Sequence, residues 1–207
     1  VGIIKLSGGR RALLQKTIAE LFMLDYQIRL CVLRASDYGE AQKRERVVLF
    51  GAKRGFFLPD LPKATHGYDV LLSKKVVTVK DVLDILEGID PVPDNGLVEL
   101  PGTNGQVVHD HCLNNSPSDS KSNLCSLVED KPAPTVTKTN ALKHYSSDLD
   151  RLITIRETAL LQGFPLEYTF CGRHQDVRDQ IGNAVSVHTA RAIARSVWSS
   201  YELTKRQ

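Results

Sequence analysis

Cysteine is scarce in this 207-residue chain: only Cys31, Cys112, Cys125 and Cys171 occur, and no repeating spacing links them. That scatter excludes the disulfide framework of small secreted domains and predicts a reducing compartment. Long apolar runs are missing as well. No stretch approaches the about 20 apolar residues of a membrane span, so no membrane partner is expected. The opening "VGIIKLSGGRR" lacks the apolar core and small-residue cleavage site of a signal peptide. There is little excess of either charge: the formal net charge is +3, so the molecule is no polycation, and any nucleic-acid contact must come from a local patch. A compact metal knuckle is also lacking. His109, His111, Cys112 and Cys125 have zinc-ligand chemistry, but their spacing matches no such knuckle and no metal is expected. Gly8-Gly9 has the spacing of neither a dinucleotide fingerprint nor a P-loop, and is better placed to open a helix. There is no internal repeat.

What remains is 42% hydrophobic, enough for one medium domain, or a domain with a small appendage. Leu14, Ile18, Leu21 and Phe22 recur at helical spacing, predicting a helix over 10–24 with one buried face. "QIRLCVLRA" (27–35) and "RVVLFGAKR" (46–54) read as antiparallel strands joined by a loop around Asp37–Gly39. A Pro-punctuated connector follows, then a strand-like "KKVVTV" and a short helix at 80–87 that Thr78 and Asp81 could cap. "NNSPSDSKSN" (114–123) is too poor in apolar groups to order itself, so disorder is expected near 114–130. Thr154 and Glu157 have capping-box spacing ahead of Leu160 and Leu161, and Gly163 then Pro165 end that helix. A last helix from about Val187 to Leu203 carries Ala190, Ile193, Ala194, Val197, Trp198 and Tyr201 on one stripe, which predicts an apolar docking partner.

Two stretches could carry chemistry. In "QKRER", strand alternation would place Gln42, Arg44 and Arg46 on one face and Lys43 and Glu45 on the other. A convergent row of this kind suits phosphate oxygens or a base-edge acceptor, because the guanidinium is a rigid planar fork; a solvated charged face is the plainer alternative. In "QIGNAVSV" (180–187), a Gly-Asn turn directly before the last helix would expose backbone amides and the Asn183 side chain to a ligand, though a simple helix start reads the same way.

The order of the pieces adds to each alone. "ASDYGEAQKRERVVLFG", a variable region, "KPAPTVT", "DRLITIRETALLQGFP" and "QIGNAVSV" leading into a helix together resemble the C-terminal half of DNA cytosine-5 methyltransferases, whose eighth, ninth and tenth motifs stand in this order. "VGIIKLSGGRRALLQKTIAELFMLDYQIRLCVL" is similar to the stretch that follows the family's Glu-Asn-Val motif.

The resemblance implies an α/β fold: an incomplete Rossmann-like, S-adenosylmethionine-dependent methyltransferase core with a small inserted target-recognition region. Residues 1–57 and 151–207 would belong to the core and 58–150 to the insertion. It implies methyl transfer from S-adenosylmethionine to carbon 5 of a cytosine flipped out of double-stranded DNA, after a cysteine thiolate attacks carbon 6. Arg46 would hydrogen-bond the cytosine O2, where charge builds. Gln42 and Arg44 would hold the active-site loops and the adjacent DNA backbone. Asn183, Ala184 and Val185 would wall the cofactor pocket, Arg156 and Glu157 would brace a hinge, and Lys63, Lys74, Lys75 and Lys143 would meet phosphate. The family carries its nucleophile in a Pro-Cys motif, and it is not found here, since none of the four cysteines follows a proline. Activity would then require a partner, the N-terminal catalytic half. A non-catalytic DNA- or partner-binding remnant and an RNA cytosine-5 methyltransferase are the alternatives. The expected compartment is the nucleus in a eukaryote, where the role would be epigenetic, and the cytoplasm otherwise.

Overall fold

The computed structural model describes residues 8–68, 74–91, 97–100, 105, 107–108, 110–111, 124–138, 141–146 and 149–206. The expected disorder over 114–123 lies outside them. The described residues form two compact units, one drawn from Val1–Arg34, Glu45–Ala64 and Thr189–Gln207, the other from Ala35–Arg44 and Thr65–His188. This division differs from the expected one: residues 151–188 group with the region expected to be an insertion, and so does the short stretch Ala35–Arg44.

The first unit starts with α1, Gly8–Met23, opened by the glycine pair as expected. Leu14, Ile18 and Leu21 are half-buried, but Phe22 is exposed, so the helix buries less of its apolar face than its spacing suggests. Asp25 ends the helix in a left-handed conformation (φ 63°), which Asp tolerates better than most residues. Its carbonyl accepts from the Arg54 N–H at 3.0 Å, and its carboxylate meets the Arg54 side chain at 2.9 Å. Between these two residues run β1, Tyr26–Arg34, and β2, Glu45–Lys53, an antiparallel pair in which Leu30 faces Leu49 and Leu33 faces Arg46. The last helix, α5, spans Val187–Lys205 and belongs to this unit from Thr189 onward. Its Thr204 hydroxyl accepts from the Phe57 N–H at 3.0 Å, and Ser196 donates to the Asp60 carbonyl. The apolar stripe on α5 forms, but Val197, Trp198 and Tyr201 remain exposed rather than docked.

The second unit has a core of its own. It includes a 3-10 turn over Ala35–Tyr38 and the short parallel pair β3, His66–Gly67, and β4, Lys74–Lys75. The expected strand "KKVVTV" shrinks to its two lysines, because Val76 and Val79 bury in the core and Thr78 caps a helix. That helix, α2, covers Val79–Leu83 and continues as a 3-10 turn to Leu86; its capping box pairs Thr78 with Asp81. β5, Val98–Glu99, pairs antiparallel with β6, Val107–Val108. β7, Leu124–Ser126, β8, Ala141–Ser146, and β9, Leu149–Leu152, form a sheet in that order, parallel then antiparallel. β7 begins at Leu124 and Leu127 is a fully buried core residue, so the part of the expected disordered stretch from 124 to 130 is structured instead.

α3, Ile155–Leu161, begins with the anticipated capping box of Thr154 and Glu157. α4, His174–Asn183, was not anticipated. Gly182 and Asn183 are its last residues, so the expected Gly-Asn turn is a helix end, and the link to α5 is Ala184–Ser186. Gly182 is required there because a Cβ would collide with the Lys138 backbone. Leu127, Val136, Ile155, Leu161, Val177 and Ile181 pack into one cluster, and Leu86, Val98, Leu100, Val108 and Leu160 into a second. A buried ion pair joins α3 to this unit: Arg156 grips Asp110 with two bonds, at 2.9 and 2.7 Å, and also donates to the carbonyls of Leu166 and Tyr168.

Candidate active site

Arg46 stands second in β2, and the whole residue is exposed. Its Nη1 donates to the Glu45 carbonyl at 2.7 Å, a local bond, and partial desolvation lowers its pKa from the ordinary arginine value. Neighbouring Glu45 pairs with Arg34 across the strands at 2.9 Å. An exposed guanidinium fixed at the head of a strand can meet a carbonyl or an oxyanion without first breaking an internal ion pair.

Gln42 and Arg44 do not share that exposure. β2 begins only at Glu45, and the chain before it runs through a bridge between Gln42 and Ala133. Alternation holds locally, with Gln42 and Arg44 buried and Lys43 exposed, but the face of Gln42 and Arg44 turns inward. Gln42 Nε2 donates to the Leu161 carbonyl and to Gln162 Oε1, while its Oε1 accepts from the Val136 N–H at 3.2 Å. Arg44 donates to Val136 O at 2.6 Å and to Gly182 O and Ala184 O, each at 3.0 Å. The expectation that these two side chains contact DNA is therefore corrected: both are committed to protein acceptors. Their bonds go to the backbone at Leu161, Val136, Gly182 and Ala184 and to the Gln162 side chain.

Two of the Arg44 bonds end at or beside Asn183–Val185. The Ala184 carbonyl accepts from both Arg44 and Gln162 Nε2, the latter at 2.8 Å. A guanidinium on the last carbonyls of α4 also complements the negative end of the helix dipole. With the backbone so fixed, the Asn183 and Val185 side chains are exposed and Ala184 is half-buried. The strip offers an amide that can donate and accept, beside an apolar surface, which fits a ligand of mixed polar and apolar character. Glu40, for which no local sequence signal pointed to a role, is also buried here. Its Oε1 accepts from Ser186 Oγ at 2.6 Å and from the His188 N–H at 2.8 Å.

The lysines separate by location. Lys63 is exposed in the connector of the first unit, and Lys74 and Lys75 are exposed in β4. Lys143 stands in β8 opposite Leu152. Desolvation, aided by Lys74 and His188, lowers the pKa of nearby His66, so it is a poor cation at neutral pH. Both ring nitrogens of His111 have polar partners: Nδ1 lies 2.9 Å from Thr154 Oγ1 and Nε2 lies 3.2 Å from the Ile89 carbonyl.

A match to the C-5 cytosine-specific DNA methylases extends over residues 5–199. The chain belongs to that family. Type II methylase M.HgiDII of Herpetosiphon aurantiacus is 30% identical over 213 residues, covering 87% of this chain and 58% of that protein. Type II methyltransferase M.AplI of Arthrospira platensis is 29% identical, covering 93% of this chain and 53% of its own length. The chain thus spans little more than half the length of these relatives. Among solved structures, a DNA modification methyltransferase encoded within an E. coli prophage superimposes with a TM-score of 0.70 at 21% identity, over 95% of this chain and 67% of that one. That likeness establishes the α/β methyltransferase fold. C-5 cytosine-specific DNA methylases use S-adenosylmethionine as their methyl donor. Among the described residues, no helix is long and apolar enough to cross a membrane.

Proposed function

We propose that this chain forms the Arg46-bearing part of a DNA cytosine-5 methyltransferase and becomes active when a second segment supplies the thiolate. The observation that carries the reading is the family match over 5–199, with Arg46 presented on β2 as an exposed guanidinium. Addition of a thiolate to carbon 6 of cytosine pushes electron density toward O2, and an Arg46 N–H donated to that oxygen is worth most when the charge is greatest. The thiolate comes from elsewhere, because none of Cys31, Cys112, Cys125 and Cys171 follows a proline. S-adenosylmethionine supplies the methyl group, and Asn183, Ala184 and Val185 hold one side of it. Gln42 and Arg44 act at one remove by fixing the backbone of that strip and of the loops beside it.

Substrate duplex is held through its phosphates, with Lys63, Lys74, Lys75 and Lys143 as the contacts in this chain. The core is completed by an N-terminal catalytic half, and the region 58–150 reads the target. The compartment follows the host: the nucleus in a eukaryote, the cytoplasm in a bacterium.

Reassembly tests the reading. The chain is co-expressed with the cofactor-binding half of a related enzyme, and transfer of labelled methyl groups to a cytosine-containing duplex is measured. Transfer by the pair, with none by either half alone, is the expected result. A pair that binds duplex but never methylates it contradicts the proposal.

A further inference from the structure

We propose that Glu40 is a positioning residue, a carboxylate that caps the start of α5 from outside the helix and so fixes the Asn183–Val185 strip; what the strip then holds, S-adenosylmethionine, rests on the function proposed above. Four observations carry this. First, Glu40 is 1% exposed, and burying a carboxylate is costly unless hydrogen bonds compensate it. Second, the compensation comes from residues 146 and 148 positions downstream: Ser186 Oγ and the His188 N–H both reach Oε1, with His188 Nδ1 at 3.2 Å from the same oxygen. The first amides of a helix have no partner within the helix, and a negative charge there is favoured by the helix dipole. Third, the backbone is shaped to admit the carboxylate. Gly163 takes φ +84°, and a Cβ there would overlap the Glu40 carboxylate. Fourth, Oε2 has no hydrogen-bond partner among the described residues, so bonding is concentrated on the oxygen that faces α5.

The five-residue stretch 40–44 therefore carries a cation and an anion to opposite sides of one short link. Arg44 binds the carbonyl end of α4, and Glu40 binds the amide end of α5. Ala184–Ser186 is held between them, leaving the Asn183 and Val185 side chains exposed. A hydrophobic residue at position 40 would fill the space but could not hold the start of α5 in register.

Amide hydrogen exchange on the chain reads the clamp directly. Glu40→Ala should speed exchange at His188 by about tenfold or more, the scale expected for losing a charge-assisted hydrogen bond, while amides of α3 keep their wild-type rates. Glu40→Gln keeps an acceptor of the same shape without the charge, so the increase at His188 should be smaller but measurable, about threefold. This variant decides the matter if Glu40→Ala does not fold. Unchanged exchange at His188 in Glu40→Gln, or an equal rise across α3 in either variant, overturns the proposal in favour of a general packing role.

In the reassembled enzyme, Glu40→Ala should raise KM for S-adenosylmethionine about tenfold and leave kcat within about twofold, because the strip binds the cofactor and takes no part in the chemical step. Glu40→Gln should recover most of the affinity. An active wild-type pair in which Glu40→Ala leaves KM unchanged refutes the inference. A wild-type pair that never methylates, beside the predicted exchange pattern, refutes the functional reading and leaves the clamp standing.

Discussion

The two compact units solve different problems with the same residue types. In the second, charge is buried and paired: Arg156 with Asp110 and Arg151 with Glu157, while Arg44 and Gln42 are spent on backbone carbonyls. In the first, each ion pair among the described residues has at least one exposed partner, as in Arg54 with Asp25, and large apolar side chains including Phe22, Met23, Phe56, Trp198 and Tyr201 are exposed. Apolar side chains cluster in the second unit, around Leu127, Val136 and Leu161 and around Val98 and Leu100. The lesson is that burial, more than residue type, decides what a charge does. A buried guanidinium such as Arg44 holds backbone carbonyls, and an exposed one such as Arg46, two residues on, bonds only to the adjacent Glu45 carbonyl among the described residues.

That contrast can be broken most severely at Arg156. Its guanidinium is 1% exposed, and replacing it by Ala leaves Asp110 buried without its partner, which should cost about 3–5 kcal/mol. Urea unfolding followed by circular dichroism checks this, and a loss below about 1 kcal/mol would mean that the pair is far better solvated than its burial implies.

A smaller effect concerns acid. Burial pushes the Glu157 carboxyl up, but the hydrogen bonds and charge of Arg151, with the Thr154 N–H, outweigh burial and hold it below the ordinary carboxyl range. A lowered folded pKa means that this contribution is complete above the ordinary glutamate value of about 4.3 and is lost as the pH falls through the folded value. The stability gap between wild type and Arg151→Met should therefore be widest near neutrality and close below about pH 4. A gap that widens in acid contradicts the assignment. Smallest of all is Arg54→Ala: both partners of that pair are more than half exposed, so the change should cost no more than about 1 kcal/mol and should vanish in high salt.

The sequence was legible where local rules are strong. The β1–β2 pair showed in its β-branched runs, and α3 showed in Thr154, Glu157 and Gly163, each of which has the predicted part. α4 was not legible because it buries little: Val177, Ile181 and Gly182 face inward from an otherwise polar segment, too few for a helical period, and glycine so near its end reads as a turn. For Gln42, Arg44 and Arg46, alternation could group the side chains but not say which way they face. The carbonyls that claim Arg44 lie 92 to 140 residues downstream, so no window around "QKRER" contains them. Glu40 was missed for the same reason, and its sole local signal is the preceding Gly39 with its positive φ.

The most direct test of the central claim compares Arg46→Ala with Lys43→Ala in the reassembled enzyme, by single-turnover methyl transfer to a short duplex. Both residues are exposed cations three positions apart, but only Arg46 stands in β2. If Arg46 stabilises charge on the cytosine ring, its loss should slow the chemical step by about a hundredfold or more, Lys at 46 should restore only part of the rate, and Lys43→Ala should change it little. Equal, small effects at the two positions would contradict the account and make "QKRER" a solvated strand edge.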